Sequence, residues 1–262
     1  MSIIVRKLIS AKYMGYWEIF LFFLIIAFIY SSVGFGGGSS YLAVLAMYNL
    51  PYQEIRLTAL ICNVIVVVGG VFIYIRNKQT DWRKIIPLTI VSVPMAFLGA
   101  VLKISQETFF LILGITLIIA ALLLWIRTDL KNGEDHPERT GTSLFKNGLL
   151  GGGIGFLSGL VGIGGGIFLS PLLNLMKWDT PRKIAATSSV FILVNSVSGI
   201  FGQLSKLSAD MDYFRILSLC FAVFIGGQVG SRMSLKWNPL VIKRMTAILV
   251  LVAGINVLIK YW

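Results

Sequence analysis

The chain reads as an all-α polytopic membrane protein: two tandem repeats of about five helical segments each, related by inversion, with broken helices at paired Gly-rich loops. Three observations lead there: the composition, the apolar runs and a glycine cluster that occurs twice. Hydrophobic residues fill 56% of the 262 positions and charged residues only 13%, with a mean hydropathy of +0.85. A soluble chain of this size needs far more charge to cover its surface. The two clusters are V-G-F-G-G-G-S at 33–39 and V-G-I-G-G-G-I at 161–167. Each interrupts sequence that would otherwise continue as membrane-spanning helix. Matched broken segments in the two halves of a membrane protein point to a transporter binding site.

The segments follow in order. The first half holds apolar runs at 17–33, 37–48, 57–75, 85–102 and 108–126; the second repeats them at 145–161, 165–176, 184–206, 214–233 and 245–259. All are expected to be helical, because lipid gives backbone groups no partners outside their own helix. The first run follows Arg6, Lys7 and Lys12 and has the form of a signal sequence. Cleavage would remove the first segment of a repeated unit, so it is read as a helix. Thr58 and Thr187 are expected to open the third segments, and Asp81 and Asp210 fall at like positions in the loop that follows. The domain reading is 1–126 as the first repeat, 127–144 as a charged cytoplasmic linker with His136 and Glu138, and 145–262 as the second repeat.

Two topologies fit the positive-inside bias. If all five segments of each half cross, both termini lie outside, the halves are inverted, and 76–84 and 177–183 share the cytoplasmic face. If 37–48 and 165–176 are re-entrant, each half crosses four times and 177–183 moves to the outer face. The first is preferred.

Composition also excludes classes of function. The net charge is +12, but the 23 Lys and Arg are scattered through loops and helix ends with no basic stripe, so no nucleic-acid partner is expected. Such flanks meet the headgroups of a lipid bilayer. Cys62 and Cys220 sit in apolar runs as small hydrophobes, and no CxxC, HExxH or paired histidine exists. Neither metal nor cofactor is expected. The segment interiors lack Asp, Glu, His, Lys and Arg, with Glu18, Arg56, Glu107 and Arg232 read as standing at segment ends. That argues against a carboxylate proton pathway and against an intramembrane enzyme.

A site must then use neutral groups. Broken helices provide unpaired N–H groups and the positive end of the helix dipole, which attract anions. The candidates are Gly34, Gly36, Gly37, Gly38 and Ser39 of the first cluster, and Gly162, Gly164, Gly165 and Gly166 of the second. Thr58, Thr187 and Ser188 are read as adding hydroxyls at the third-segment starts, with Asn63 and Asn195 further in. The asparagines serve equally as interhelical hydrogen-bond partners, and the hydroxyls as N-caps. The G-x-x-x-G series at Gly151, Gly155 and Gly159, and at Gly226 and Gly230, is read as close helix packing. These faces leave a homodimer open.

G-F-G-G-G-S-S at 34–40 followed by Thr58, and G-L-V-G-I-G-G-G-I-F-L-S-P-L-L at 159–173 followed by A-A-T-S-S at 185–189, resemble the sulfite exporter TauE/SafE family. The likeness runs from about 17 to 259. It implies a bacterial inner-membrane permease for a small anion such as sulfite or an organosulfonate, and not an enzyme. The motif carries onto Gly34, Gly36–Gly38, Thr58, Gly162, Gly164–Gly166, Thr187 and Ser188, while Leu57 and Ala59 depart from it. The rival readings are a cation permease and a non-transporting assembly subunit.

Overall fold

The computed structural model describes residues 3–32, 34–48, 50–126, 144–176, 178–204, 211–233 and 239–261. Within them lie helices and no strand: α1 (Ile3–Ser31), α2 (Gly38–Met47), α3 (Tyr52–Arg76), α4 (Trp82–Val101), α5 (Gln106–Ile126), α6 (Leu144–Val161), α7 (Gly166–Leu175), α8 (Pro181–Gln203), α9 (Tyr213–Met233) and α10 (Pro239–Tyr261). Most or all of α3, α4, α5, α8, α9 and α10 is long and apolar enough to cross a membrane. Asp81 caps α4, its carboxylate accepting from the Arg83 amide at 3.1 Å. Asp210 and the charged linker lie outside the described residues.

Two helix starts correct the sequence reading. α3 begins at Tyr52 and α8 at Pro181, ahead of the expected 57 and 184. Pro51 and Pro181 set the backbone there, since a proline in the first turn removes only an N–H that has no helical partner. Thr58 and Thr187 therefore stand in the second turn, with their amides inside the helical ladder. They open nothing.

The second segments are also shorter than a crossing. α2 and α7 have 10 residues each, about 15 Å of helix against a ~30 Å hydrocarbon layer. The Gly38 amide meets Asn63 at 2.8 Å, about 16 Å along α3 from its start. The far end of α2 reaches the end of α10, where Lys260 Nζ donates to Ala46 O at 2.9 Å. A glycine loop and a half-length helix together return the chain to that face.

Direction follows from the contacts. Leu60 packs on Gly199, while Tyr74 and Ala185 both touch Gly34, so α3 and α8 run antiparallel. Lys84 pairs with Asp179 at 2.7 Å, placing the start of α4 and the approach to α8 on one face. The four-crossing arrangement puts those two on opposite faces, and this contact removes it. Exchanging α1–α5 with α6–α10 maps the helix pairs onto one another: α4 on α6 becomes α9 on α1, and α4 on α8 becomes α9 on α3.

Small residues let these pairs approach. Gly151, Gly155 and Gly159 of α6 lie on the backbone of Leu88, Ser92 and Ala96 of α4. Gly226 and Gly230 of α9 lie on the Leu24 and Phe28 carbonyls of α1. The stripes that left a dimer open are covered within the chain.

Two charges of α3 are buried. Glu54 and Arg215 form a largely buried ion pair between α3 and α9, and Arg56 is only 1% exposed. Both belong to the first turns of a helix that starts earlier than the apolar pattern indicates. Glu54→Gln is expected to lower stability, because it removes the carboxylate that pairs with Arg215 across the α3–α9 seam. A fall in the melting temperature of the detergent-purified protein checks this. Cys62 and Cys220 are free thiols.

Candidate functional site

The two glycine loops meet at one side chain. Asn63 Oδ1 accepts from the Gly38 amide at 2.8 Å, and its Nδ2 donates to the Ile163 carbonyl at 2.9 Å. A single residue of α3 thus ties its own half's loop to the loop of the other half. Ser189 of α8 makes a second tie, its hydroxyl donating to the Gly34 carbonyl at 2.8 Å. Glycine loops 128 residues apart in sequence face each other inside the molecule.

Local chemistry explains the loop shapes. Gly37 and Gly165 immediately precede α2 and α7 with φ of +89° and +80°. A side chain is strained in that left-handed region, and glycine is not. Each carbonyl then starts its helix: Ser40 and Tyr41 return to Gly37 O, and Phe168 and Leu169 to Gly165 O. The amides of Gly36, Gly37, Ser39, Gly164, Gly165 and Gly166 find no acceptor among the described residues. These N–H groups stand at the positive ends of α2 and α7 and make both loops candidate anion notches.

Neighbouring side chains are seated in the notches. A Cβ on Gly36 would stand 2.3 Å from Asn63 Oδ1, one on Gly37 2.7 Å from the Tyr41 ring, and one on Gly166 2.2 Å from Ile192. Phe191 lies against Gly165, and Ser196 against Gly164. Grooves of about 790 Å³ (Val93, Phe97, Val197, Phe201), 640 Å³ (Ile65, Leu217, Phe221) and 600 Å³ (Phe72, Arg76, Gln228, Arg232) lie elsewhere. None of these three is lined by a residue of the loops.

The expected polar residues divide into two groups. Ser39 bonds Tyr30 Oη at 3.2 Å, and Asn63 is committed to the loops. Asn195 donates to Phe191 O of its own helix at 2.8 Å, leaving its Oδ1 buried without a partner. Ser188 Oγ is likewise buried and unpartnered, and Thr58 and Thr187 are buried in sequence-equivalent turns. Sequence reasoning missed Tyr41 Oη, Ser158 Oγ and Ser196 Oγ, which are buried, unpartnered and close to Gly37, Gly165 and Gly164 respectively. A hydroxyl inside an apolar run within four residues of a glycine break was the available signal for Tyr41 and Ser158.

Asn63→Leu is expected to leave the Gly38 donor and the Ile163 acceptor without partners, at about 1–3 kcal/mol each. Asn63→Asp keeps the acceptor and, once its buried carboxyl takes up a proton, a single donor, so it stands between wild type and Asn63→Leu. The ranking of melting temperatures, wild type above Asp above Leu, is the check.

The model of the family described as sulfite exporter TauE/SafE matches residues 19–257. The chain belongs to the sulfite exporter TauE/SafE family. It is similar to the probable membrane transporter protein y4hK of Sinorhizobium fredii, with 29% identity covering 90% of this chain and 95% of that one. The probable membrane transporter YunE of Bacillus subtilis is 23% identical over 86% of this chain and 90% of its own length. No solved structure matches. As a TauE/SafE protein the chain is a membrane transporter and not an enzyme.

Proposed function

We propose that this TauE/SafE protein is an inner-membrane permease for a small oxyanion, with sulfite or an organosulfonate as the substrate class. The anion is held at mid-depth by free amides of the paired glycine loops, with Ser39, Thr58, Thr187, Ser188 and Asn195 orienting it. The observation that carries this reading is the tie through Asn63, which brings amide-bearing loops from both halves to one place. The halves are read as inverted repeats, which the antiparallel α3 and α8 and the exchange of helix contacts support. Positive-inside charge puts the 76–84 loop in the cytoplasm.

Asn63, Ile192 and Phe191 fill the notches in this arrangement, so substrate reaches the amides only when α3 or α8 draws back from the facing loop. Access alternates as one half rocks against the other. A thermal-shift screen of the purified protein against sulfite, sulfate, thiosulfate, methanesulfonate, acetate and divalent cations tests the class, since a ligand of the folded state raises apparent stability by mass action. Selective stabilisation by the sulfur oxyanions is expected. Stabilisation by the cations alone would replace this reading with a cation permease.

A further inference from the structure

Arg56 is among the largest fully buried side chains, at 1% exposure, and it pairs with no carboxylate among the described residues. The ion pairs among the described residues are those of Lys84, Lys183 and Arg215 with Asp81, Asp179 and Glu54. Glu54, the nearest acid in sequence, is taken by Arg215. Arg56 Nη2 donates to the Gly159 carbonyl at 2.8 Å, and its Cζ lies 5.9 Å from the centre of the Phe109 ring. Its Nε is buried with no partner. An arginine is charged at any pH a protein meets. Burying that charge against one carbonyl and a ring leaves much of its desolvation uncompensated.

Its position relates the charge to the second glycine loop. Arg56 and Asn63 are seven residues apart on α3, two helical turns along one face. Asn63 bonds Ile163 inside the loop, while Arg56 Cβ lies against Gly162 at its entry. The counterpart contacts in the first loop are Ala185 and the Tyr74 hydroxyl against Gly34, neither of them charged. The second loop thus has the stem of a buried cation at its entry, with the guanidinium one turn back on α6 at Gly159, whereas the cation near the first loop, Arg182 beside Tyr74, is exposed.

We propose that Arg56 is the charged ligand of the anion site, binding one oxygen-rich, negatively charged group of the substrate at the second glycine loop. The bound anion supplies the counter-charge that the protein omits, and the guanidinium adds charge-assisted hydrogen bonds to those of the backbone amides. The first loop, whose nearest cation Arg182 is exposed beside Tyr74, contributes neutral donors only. This rests on the oxyanion reading above and assigns its charge selectivity to one residue.

The test uses the full chain in detergent, with sulfite and methanesulfonate as probes and binding measured by calorimetry. Arg56→Gln is expected to weaken both at least about tenfold, without lowering the melting temperature of the ligand-free protein. Arg56→Lys is expected to recover part of the affinity, because it keeps the charge and loses the planar fork. A residue that only props the helices would lower that melting temperature and leave affinity unchanged. Wild-type affinity in Arg56→Gln overturns the proposal, even where Gly165→Val shows that the loops bind sulfite. If wild type binds neither probe, the oxyanion reading fails with it. If neither variant folds, wild type decides: methanesulfonate must bind and its neutral analogue dimethyl sulfone must not, and equal binding overturns the proposal.

Discussion

Gly159→Val is expected to abolish the folded protein, while Gly153→Val, on the same helix, is expected to change nothing measurable. A Cβ at Gly159 would stand 1.9 Å from the Ala96 carbonyl oxygen and 2.8 Å from the Ala96 Cα, both backbone atoms of α4. Neither can rotate away, so the whole α4–α6 seam must open. Overpacking a core by a methylene costs about 1–3 kcal/mol when side chains yield, and here nothing yields. A Cβ at Gly153 meets nothing within 4 Å. The pair separates close packing from general intolerance of β-branched residues in helices. Monodispersity on size exclusion and the melting temperature are the measurements. A folded Gly159→Val protein with wild-type stability would show that α4 and α6 do not pack as described.

Gly37→Val and Gly165→Val are each expected to abolish sulfite binding and flux while the protein still inserts in the membrane. Both positions require φ near +80° to +89°, where a β-branched residue carries strain of about 1–3 kcal/mol. Relieving it turns the free amides of Gly36, Gly37 and Ser39, or of Gly164, Gly165 and Gly166, out of their present directions. Each Cβ would also push on a ring, that of Tyr41 or of Phe191. Gly37→Asn is the informative companion, because asparagine tolerates the left-handed region better than other side chains. Tighter sulfite binding in the Gly37→Asn protein than in the Gly37→Val protein assigns the loss to backbone direction. Unchanged flux in both valine variants would reject the loops as the binding site.

The halves differ at the positions that matter most. Asn63 of α3 contacts Gly36, Gly38 and Gly164, whereas Ile192 of α8 contacts Gly164 and Gly166. The loop tie is therefore polar from one half and apolar from the other. Arg56 and Ala185 differ in the same way. The pair of loops thus has one polar flank and one apolar flank.

Much of this was legible before any contact was known. Long apolar runs in a chain with little charge can only be helices in lipid, because unpaired backbone groups have no other partners there. Three consecutive glycines in such a run break it, and their recurrence 128 residues later marks both breaks as equivalent. The stripes at Gly151, Gly155 and Gly159 announce close packing by their spacing alone. These are local properties, set by the residues themselves and their period.

Partners were not legible, because they depend on which helices become neighbours. No pattern says that Asn63 would bridge both loops, that Gly159 would lie on Ala96, or that Glu54 would meet Arg215 across 161 residues. Hydropathy placed Arg56 at a segment end because the helix start was read from the apolar run; Pro51 and Tyr52 begin α3 earlier, and the fold closes α5 and α6 over the charge. Composition fixes how much backbone must be helical, whereas the meeting of distant side chains is fixed only when the helices pack.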